Sequence, residues 1–315
     1  MKAAAWWSVA LSESVTNVKP FAAVCDGEEL VLFRDTTGQV RALKDRCPHR
    51  RVPLSLGCIK GDKLQCGYHG WTFDGGTGSC TAIPNLRGEE QVPAHYAAQA
   101  HRVTEGNGFV HVCLGRGAPP EALPAAHYVP EGPEFTGTAI ANITHAEYLA
   151  VVLDGPQCLL NFNFVRMTDF FLGDAQRSGN DQLVLDRGAV WQSQVLPSQF
   201  VADYPLIVRT TVPLAGGNVR VALLTGAELP LVTVHIASGA NRRGTTSLCW
   251  RGFVHTGNVG AMPLRWRAKR ALGQRPFEVM SNIDGAAIAA LLVAPSRDLA
   301  AARVQTKTVP IMVAA

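Results

Sequence analysis

The sequence contains few charged residues for its length. Asp, Glu, Lys and Arg make up 17% of the 315 residues, against roughly 25% in ordinary soluble domains. Together with a hydrophobic fraction of 47%, this excludes disorder as a description of the whole chain. The 29 basic and 25 acidic residues leave a net charge of +4. This charge is too small and too dispersed to predict nucleic-acid binding.

Long apolar runs are also missing. The longest nearly unbroken run extends from Ala286 to Ala294, about half the length that a bilayer-spanning helix needs. We therefore expect no membrane interaction. The N-terminal Lys2 and the apolar residues 3–7 resemble a signal peptide only faintly, because the stretch is short and no clear cleavage site follows. No secretory signal is predicted.

Cysteine is scarce as well, with eight in 315 residues, which excludes a disulfide-dense secreted scaffold. Four of the eight nevertheless lie between Cys47 and Cys80. This clustering indicates metal chemistry in a reducing compartment, so we expect a cytoplasmic protein. Within the cluster, Cys58 and Cys80 are expected to be small buried hydrophobic side chains.

The pattern along the chain predicts an α+β protein of two domains. Residues 1–115 contain short β-prone runs separated by turns and are expected to form an all-β domain. A stretch rich in Gly and Pro at 116–125 is typical of a linker. Residues 126–315 are expected to combine an antiparallel sheet with helices.

The strands and helices of the second domain are predicted from hydrophobic periodicity. The segment 146–153 fits either a helix or a buried strand, and 264–272 and 283–293 fit helices. Alternation typical of sheet strands occurs at 183–195, 206–213, 218–224, 231–236 and 245–253.

The most informative motif is Cys47-Pro-His49, followed after sixteen residues by Cys66-Gly-Tyr-His69. Zinc is one candidate, since it also binds two Cys and two His. Zinc sites, however, usually pair Cys with Cys and His with His along the chain. Here each half of the motif supplies one Cys and one His, so the two thiolates can bind one metal atom and the two imidazoles another. This division favours a Rieske-type [2Fe–2S] cluster.

Cys47-Pro-His-Arg and Cys66-Gly-Tyr-His-Gly-Trp resemble the signature of the Rieske-type non-haem iron oxygenases. The resemblance implies an N-terminal Rieske domain whose [2Fe–2S] cluster is held by Cys47, His49, Cys66 and His69. It also implies a C-terminal catalytic-type domain with a START-like fold, and a trimer-based assembly in which the cluster of one subunit reduces the iron of its neighbour.

The resemblance further implies a mononuclear iron site with the motif Asp-x-x-His-x-x-x-x-His, which this chain does not contain. With Asp154 at the first position, the two histidine positions are occupied by Gln157 and Phe162. A register shifted by three residues places Leu160 and Val165 there instead. Neither register supplies an imidazole. We therefore predict that the mononuclear iron site has been lost.

Two carboxylates remain as candidates for residual roles. Asp284 lies in a segment, Asn282-Ile-Asp284, that resembles the one carrying the family's acidic iron ligand, but a helix N-cap is an alternative. Asp154 fits either a bridging carboxylate at a subunit interface or a solvated turn residue before Gly155. Near the first ligand motif, Arg46, Arg50 and Arg51 are either solvated charges or a docking patch for an acidic reductase or ferredoxin.

Three hypotheses for function follow. The first is an oxidoreductase component that passes electrons from an NAD(P)H-dependent reductase to a catalytic Rieske paralogue in a hetero-oligomer, and is itself inactive. The second is a complete mono- or dioxygenase for ring hydroxylation or O- or N-demethylation. Its unconventional iron site would use three of His145, Glu147, Asp154, His235, His255 and Asp284. The third, a stand-alone redox carrier, does not explain the roughly 200 residues after the linker.

Overall fold

The computed structural model describes residues 4–86, 91–121, 123, 128–179, 182–192, 204–213, 218–261, 272 and 276–280. Asp284 and the helix predicted at 283–293 lie outside the described residues. The helix predicted at 264–272 also lies outside them, apart from Leu272.

The chain divides into two compact units. The first comprises Met1–Val129 with Ala237–Arg243, and the second comprises Pro130–Ile236 with Gly244–Ala315. The Gly- and Pro-rich stretch predicted as a linker, 116–125, falls inside the range of the first unit. The second unit begins at Pro130.

The first unit is built from three small sheets of short strands. One sheet has the strand order β1-β11-β10, the second β2-β3-β4-β9 and the third β5-β6-β7-β8, and the pairs are antiparallel. The strands are β1 (Ala5–Leu11), β2 (Phe21–Cys25), β3 (Glu28–Arg34), β4 (Val40–Lys44), β5 (Cys58–Lys60), β6 (Lys63–Gln65), β7 (Thr72–Asp74), β8 (Cys80–Ala82), β9 (Ala100–His101), β10 (Val103–Gly106) and β11 (Phe109–Leu114). The all-β N-terminal domain expected from the sequence is therefore confirmed.

Asp35 fixes the turn between β3 and β4. Its carboxylate accepts hydrogen bonds from the backbone N–H groups of Thr37 and Gln39, at 2.9 Å each, and from Nε of Arg41 at 2.8 Å. Burial raises the pKa of Asp35, but the hydrogen bonds from Thr37, Arg41 and Gln39 outweigh it and hold the pKa below its ordinary value. This side chain therefore organises the hairpin formed by β3 and β4.

A buried histidine joins the strands of the first sheet. His111 in β11 is fully buried, and its Nε2 donates a hydrogen bond to the carbonyl of Gly106 at 3.0 Å. Since a carbonyl only accepts, Nδ1 is the unprotonated nitrogen, and it accepts from the Ser8 hydroxyl of β1 at 3.0 Å. The neutral ring therefore hydrogen-bonds to both strands that flank β11, namely β1 through the Ser8 hydroxyl and β10 through the Gly106 carbonyl.

This geometry predicts a pH dependence of stability. Burial lowers the pKa of His111 below 6.5, although the Gly106 hydrogen bond acts in the opposite direction. Because the unfolded chain then binds a proton more readily than the folded chain, the free energy of unfolding is highest above pH 6.5 and falls as the pH drops below that value. We expect a lower urea midpoint at pH 5.5 than at pH 7.5. His111→Gln should make the difference smaller, whereas His95→Gln, at an exposed site, should not. Equal midpoints for the parent at both pH values would contradict the assignment.

The second unit is dominated by one large sheet. Among the described residues this sheet has eight strands in the order β12-β20-β19-β18-β17-β16-β14, with β15 paired to β16, and a separate two-stranded sheet pairs β13 with β21. The elements are β12 (Glu134–Ala141), α1 (His145–Asp154), β13 (Leu160–Phe162), β14 (Val165–Phe171), β15 (Gln176–Ser178), β16 (Gln182–Trp191), β17 (Leu206–Pro213), β18 (Val219–Thr225), β19 (Pro230–Ala240), β20 (Thr246–Val254), α2 (Thr256–Ala261) and β21 (Phe277–Val279).

The segment 146–153, which fitted either a helix or a strand, is a helix. Thr144 and Glu147 form a capping box at its N-terminus: the Thr144 side chain accepts from the Glu147 N–H, and the Glu147 carboxylate accepts from the Thr144 N–H at 2.8 Å. All residues from Tyr148 to Asp154 are buried. No helix within the described ranges is long and apolar enough to cross a membrane.

Candidate metal centre

The first ligand loop is closed by two backbone hydrogen bonds. The N–H of Cys47 donates to the carbonyl of Val52 at 2.9 Å, and the N–H of Arg51 donates to the carbonyl of Cys47 at 2.8 Å. This closure requires Arg51 to adopt a left-handed conformation with φ of 62°, which is uncommon for a residue other than glycine. The tight turn places Cys47 and His49 on one rigid loop.

The second ligand loop repeats this geometry. The N–H of Cys66 donates to the carbonyl of Trp71 at 2.8 Å, and the N–H of Gly70 donates to the carbonyl of Cys66 at 3.1 Å. Gly70 occupies the position that corresponds to Arg51 and has φ of 72°. Each loop therefore presents one Cys and one His from an equivalent backbone framework.

The turn that precedes β5 packs directly against the second loop and fixes it. A Cβ atom on Gly57 would lie 2.0 Å from the carbonyl oxygen of Gln65, and one on Gly67 would lie 2.8 Å from that of Leu56. Only glycine fits at such distances. The same turn is also bonded to the residue two positions before Cys47. Asp45 accepts hydrogen bonds from the N–H and the hydroxyl of Ser55 at 2.7 and 2.6 Å.

The four predicted ligand side chains come together between the two loops. Cys47 and Cys66 are buried, whereas His49 and His69 are exposed. The Nδ1 atoms of the two imidazoles face each other at 3.1 Å. The site therefore has a buried sulfur side and an exposed nitrogen side, as the division of ligands predicted from the sequence requires.

The electrostatics of these side chains suit metal ligands. Burial raises the pKa of the Cys47 thiol and the neighbouring Cys66 thiol raises it further, while the backbone N–H groups of His49 and Arg50 lower it. Two adjacent buried thiolates thus need a cation to stabilise them. Partial desolvation lowers the pKa of His49, as do repulsions from His69 and Arg50, and neutral imidazole is the form that binds a metal.

The donor set fits a binuclear cluster better than a single ion. Two buried thiols and two facing imidazole nitrogens are two ligand pairs, which is the donor set of a Rieske [2Fe–2S] cluster. Within the described part of the chain, no group of three His, Cys, Asp or Glu side chains is arranged to hold one metal ion.

Aromatic rings surround both imidazoles. The Trp71 ring stacks on His49 with a centroid distance of 4.6 Å and an interplanar angle of 5°. Tyr68, 61% exposed, lies 3.9 Å from the His69 ring. The role of Trp71 was not predicted, although its position two residues after His69 was a usable signal.

Exposed side chains flank the first ligand pair in the sequence. Arg46, Arg50 and Arg51 are all exposed, and the charge of Arg50 acts on His49. Leu56 has an exposed fraction of 72%. The prediction for Cys58 was wrong: its thiol is exposed, because β5 is an edge strand of its sheet. Cys80, in contrast, is partly buried, and burial raises its pKa.

In the second unit, the residues at the predicted iron positions are mostly core residues. Phe162 is 0% exposed and makes an edge contact with Phe277 at 5.3 Å. Leu160 and Val165, from the alternative register, belong to the same hydrophobic cluster. Gln157 is half-buried, and its Oε1 has no hydrogen-bond partner among the described residues.

Asp154 lies at the C-terminal end of α1 and is buried, in contrast to the solvated turn residue considered from the sequence. Its main-chain carbonyl accepts a hydrogen bond from Nη2 of Arg187, and Nη1 of Arg187 donates to the carbonyl of Thr168 at 3.0 Å. Arg187 is only 2% exposed. The sequence signal for it was an arginine on the apolar face of a strand, in line with Leu185 and Ala189.

The residues proposed for an unconventional iron site have other contacts. The Glu147 carboxylate belongs to the capping box of α1. In His255, Nε2 bonds the Thr233 hydroxyl at 2.9 Å and Nδ1 bonds the Glu131 carboxylate at 2.8 Å. His145 begins α1, and His235 is buried in β19.

Comparison with known proteins agrees with this geometry. The family model described as "Rieske [2Fe-2S] domain" matches residues 5–96. This segment is a Rieske domain. It contains both ligand loops, and a Rieske [2Fe–2S] cluster is the cofactor of this domain.

The homology extends to oxygenase components. The chain is 32% identical over 188 residues to Oxidoreductase NdmD from Pseudomonas putida, which covers 58% of this chain and 30% of NdmD. It is also 36% identical over 110 residues to the toluene-4-sulfonate monooxygenase system iron-sulfur subunit TsaM1 from Comamonas testosteroni. This match covers 35% of this chain and 30% of TsaM1. The chain thus matches less than a third of the length of these relatives.

The fold agrees over almost the whole length. The crystal structure of dicamba monooxygenase bound to dicamba superimposes with a TM-score of 0.65, covering 98% of this chain and 91% of that one, at 18% identity. The C-terminal antiparallel-sheet domain predicted from the family resemblance is thereby confirmed. Taken together, the comparisons show that residues 5–96 are a Rieske domain, that this part of the chain is related to Rieske components of oxygenase systems, and that the chain shares the fold of dicamba monooxygenase.

Proposed function

We propose that this chain is the Rieske electron-transfer subunit of a non-haem iron oxygenase system. It accepts electrons from an NAD(P)H-dependent reductase or a ferredoxin and passes them to the mononuclear iron of a catalytic partner subunit. The chain itself catalyses no oxygenation. The observation that carries this proposal is the buried Arg187, bonded to the carbonyl of Asp154 where the family's iron motif begins.

A guanidinium at this position opposes iron binding. Arg187 remains charged at every physiological pH, and the low-dielectric interior strengthens its repulsion of a second cation. It is also oriented toward a helix C-terminus, where a cation is favoured by the helix dipole. The guanidinium of Arg187 therefore puts a fixed positive charge close to Asp154. An Fe(II) ion there would need anionic and neutral ligands instead.

The residues at the histidine positions support the same conclusion. Neither Phe162 nor Leu160 or Val165 has an atom that coordinates iron, and all three are buried in the core of the second unit. A lone carboxylate such as Asp154 or Asp284 would hold Fe(II) poorly, because a typical site of this kind uses two imidazoles and one carboxylate.

We propose that Cys47 and Cys66 bind one iron of the cluster and that His49 and His69 bind the other. The backbone N–H groups that approach the Cys47 sulfur belong to His49 and Arg50. When bound, such a cluster supplies one-electron chemistry at about −150 to +300 mV. The exposed imidazoles support an electron exit at the protein surface.

The proposed partners are a catalytic Rieske paralogue, in a trimer-based hetero-oligomer, and a reductase or ferredoxin. TsaM1, one of the relatives, is by its name the iron-sulfur subunit of a monooxygenase system. The exposed arginines of the first loop suit an acidic redox partner. The four cysteines clustered between Cys47 and Cys80 indicate metal chemistry in a reducing compartment, which supports the proposed cytoplasmic location.

Co-expression tests the proposed role directly. The chain is combined with a reductase and with a paralogue that contains Asp-x-x-His-x-x-x-x-His, and product formation from an aromatic or N-methylated substrate panel is measured. We expect activity only when the paralogue is present. The matched control is Cys66→Ser, which should assemble with the paralogue but not support turnover. Oxygenation by this chain and the reductase alone would establish the complete-oxygenase alternative instead.

A further inference from the structure

A continuous series of ring contacts leads from His49 to a second surface position, His95. Trp71 stacks on His49 at 4.6 Å, and the same indole makes an edge contact with Tyr96 at 4.9 Å. Tyr96 in turn contacts the ring of His95 at 4.3 Å. Trp71 is buried, Tyr96 is half-buried and His95 is exposed. We call Trp71 and Tyr96 the ring pair.

The ring pair reaches the surface at a defined turn. Tyr96 ends a short 3-10 helix, Ala94–Tyr96, and its N–H donates to the carbonyl of Pro93 at 3.0 Å. The ring packs against the hydrophobic cluster that contains both Cys47 and Cys66. The turn is therefore held rigidly against the core of the Rieske domain.

We propose that the ring pair is the route by which electrons enter the Rieske domain, and that the exposed His69 is left for the electron acceptor. This inference rests on the proposed function, because a relay subunit has to serve two partners. Because the two exposed imidazoles lie side by side, with their Nδ1 atoms 3.1 Å apart, a donor bound over them would cover the site that the acceptor needs. A second route through Tyr96 allows donor and acceptor to be bound at the same time.

The transfer is a one-electron step without bond changes. A donor protein with reduced flavin or a reduced iron–sulfur cluster docks at the 94–96 turn and loses one electron. That electron would tunnel across the ring contacts of Tyr96, Trp71 and His49. It would reduce by one electron the cluster that the two ligand loops would hold. No covalent bond forms or breaks, no proton moves, and the rings themselves are not oxidised.

A packing role for the same rings makes a different prediction. If Tyr96 only fills the core, removing its ring changes stability or the midpoint potential, and any change in rate follows the potential. If the ring pair carries the electron, removing the ring slows electron transfer at an unchanged potential. An aromatic replacement then preserves the rate, because it keeps the contact with Trp71.

The experiment uses the cluster-loaded full chain with a photoreducible ruthenium–bipyridine label. The exposed thiol is removed by Cys58→Ser, and the label is attached through Ala94→Cys, next to the ring pair. Flash photolysis then gives the first-order rate at which the cluster absorbance bleaches, and redox titration with EPR gives the midpoint potential. The control label site is Leu56→Cys, at an exposed position whose backbone packs against Gly67 of the second ligand loop.

With the label at position 94, Tyr96→Leu is expected to slow cluster reduction roughly tenfold at an unchanged midpoint potential. Tyr96→Phe should retain the rate, and so should Ile83→Ala, which removes a non-aromatic side chain packed on the same cluster. With the label at position 56, Tyr96→Leu should have no effect. If Tyr96→Leu loses its cluster, Tyr96→Met replaces it as the variant without a ring.

The inference is overturned if the ring-free variant reduces as fast as the parent, if Tyr96→Phe slows as much as Tyr96→Leu, or if the rate changes only in step with the potential. Since the assay measures reduction of the chain alone, it is independent of any catalytic partner. Discovery of a mononuclear iron in this chain would refute the proposed function but leave the ring-pair result unaffected.

Discussion

Cys66→Ser is expected to abolish the iron–sulfur cluster completely. Cys66 is buried on the sulfur side of the site, and its loop is fixed by backbone hydrogen bonds to Trp71 and Gly70. A serine hydroxyl at the same position is far less acidic than a thiol and binds iron weakly, so the second thiolate of the pair cannot be replaced. The measurement is the content of iron and acid-labile sulfide after anaerobic reconstitution, with the visible spectrum as a second readout.

The matched control for this prediction is Cys58→Ser. Cys58 lies eight positions before Cys66 but on an exposed edge strand, with its Sγ 3.6 Å from Oε1 of Gln65. We expect that variant to retain the full iron and sulfide content. Sulfide retained at the parent level in Cys66→Ser would show that the ligand set is wrong.

Phe162→Ala is expected to lower the free energy of unfolding of the second unit by about 3–5 kcal/mol, the usual cost of truncating a buried phenylalanine. Phe162 is fully buried, packs on Phe277 and pairs with it across β13 and β21. The expected result is faster hydrogen exchange in these two strands, with no loss of iron and an unchanged cluster spectrum.

Asn161→Ala, on the exposed side of the same strand, is the control and should change the unfolding free energy by less than about 0.5 kcal/mol. A loss of iron in Phe162→Ala at unchanged stability would mean that this segment helps to hold a metal after all, and the core assignment would then be incorrect.

The position of the candidate ligand residues was the most predictable feature of the molecule. Iron–sulfur chemistry requires particular donors on two loops, and Cys47-x-His49 and Cys66-x-x-His69 supply those residue types. The structure brings the four side chains together, with buried thiols and exposed imidazoles, and their role as cluster ligands stays a prediction. Strands with strict alternation were equally predictable, and β17 has the bounds 206–213 that were expected.

Features that depend on contacts distant in sequence were not predictable. The contact of Trp71 with Tyr96 joins residues 25 positions apart, and no local pattern encodes it. The hydrogen bond of Arg187 to Asp154 depends on how α1 packs against β16. The hydrophobic periodicity of the sequence does not predict that packing. The helix at 145–154 remained ambiguous because its apolar residues fit both periods. Its capping box, Thr144 with Glu147, is the local sequence signal that would have favoured the helix.

The central claim is that this chain carries a Rieske cluster but no catalytic iron of its own. The most direct test is the ratio of iron to acid-labile sulfide in the full chain, reconstituted anaerobically with excess Fe(II) and then freed of loosely bound metal. A [2Fe–2S] cluster alone gives two irons for two sulfides, and a further mononuclear iron gives three for two. The account predicts a ratio of about 1.0. A ratio of about 1.5, lost selectively on treatment with a mild Fe(II) chelator, would contradict it.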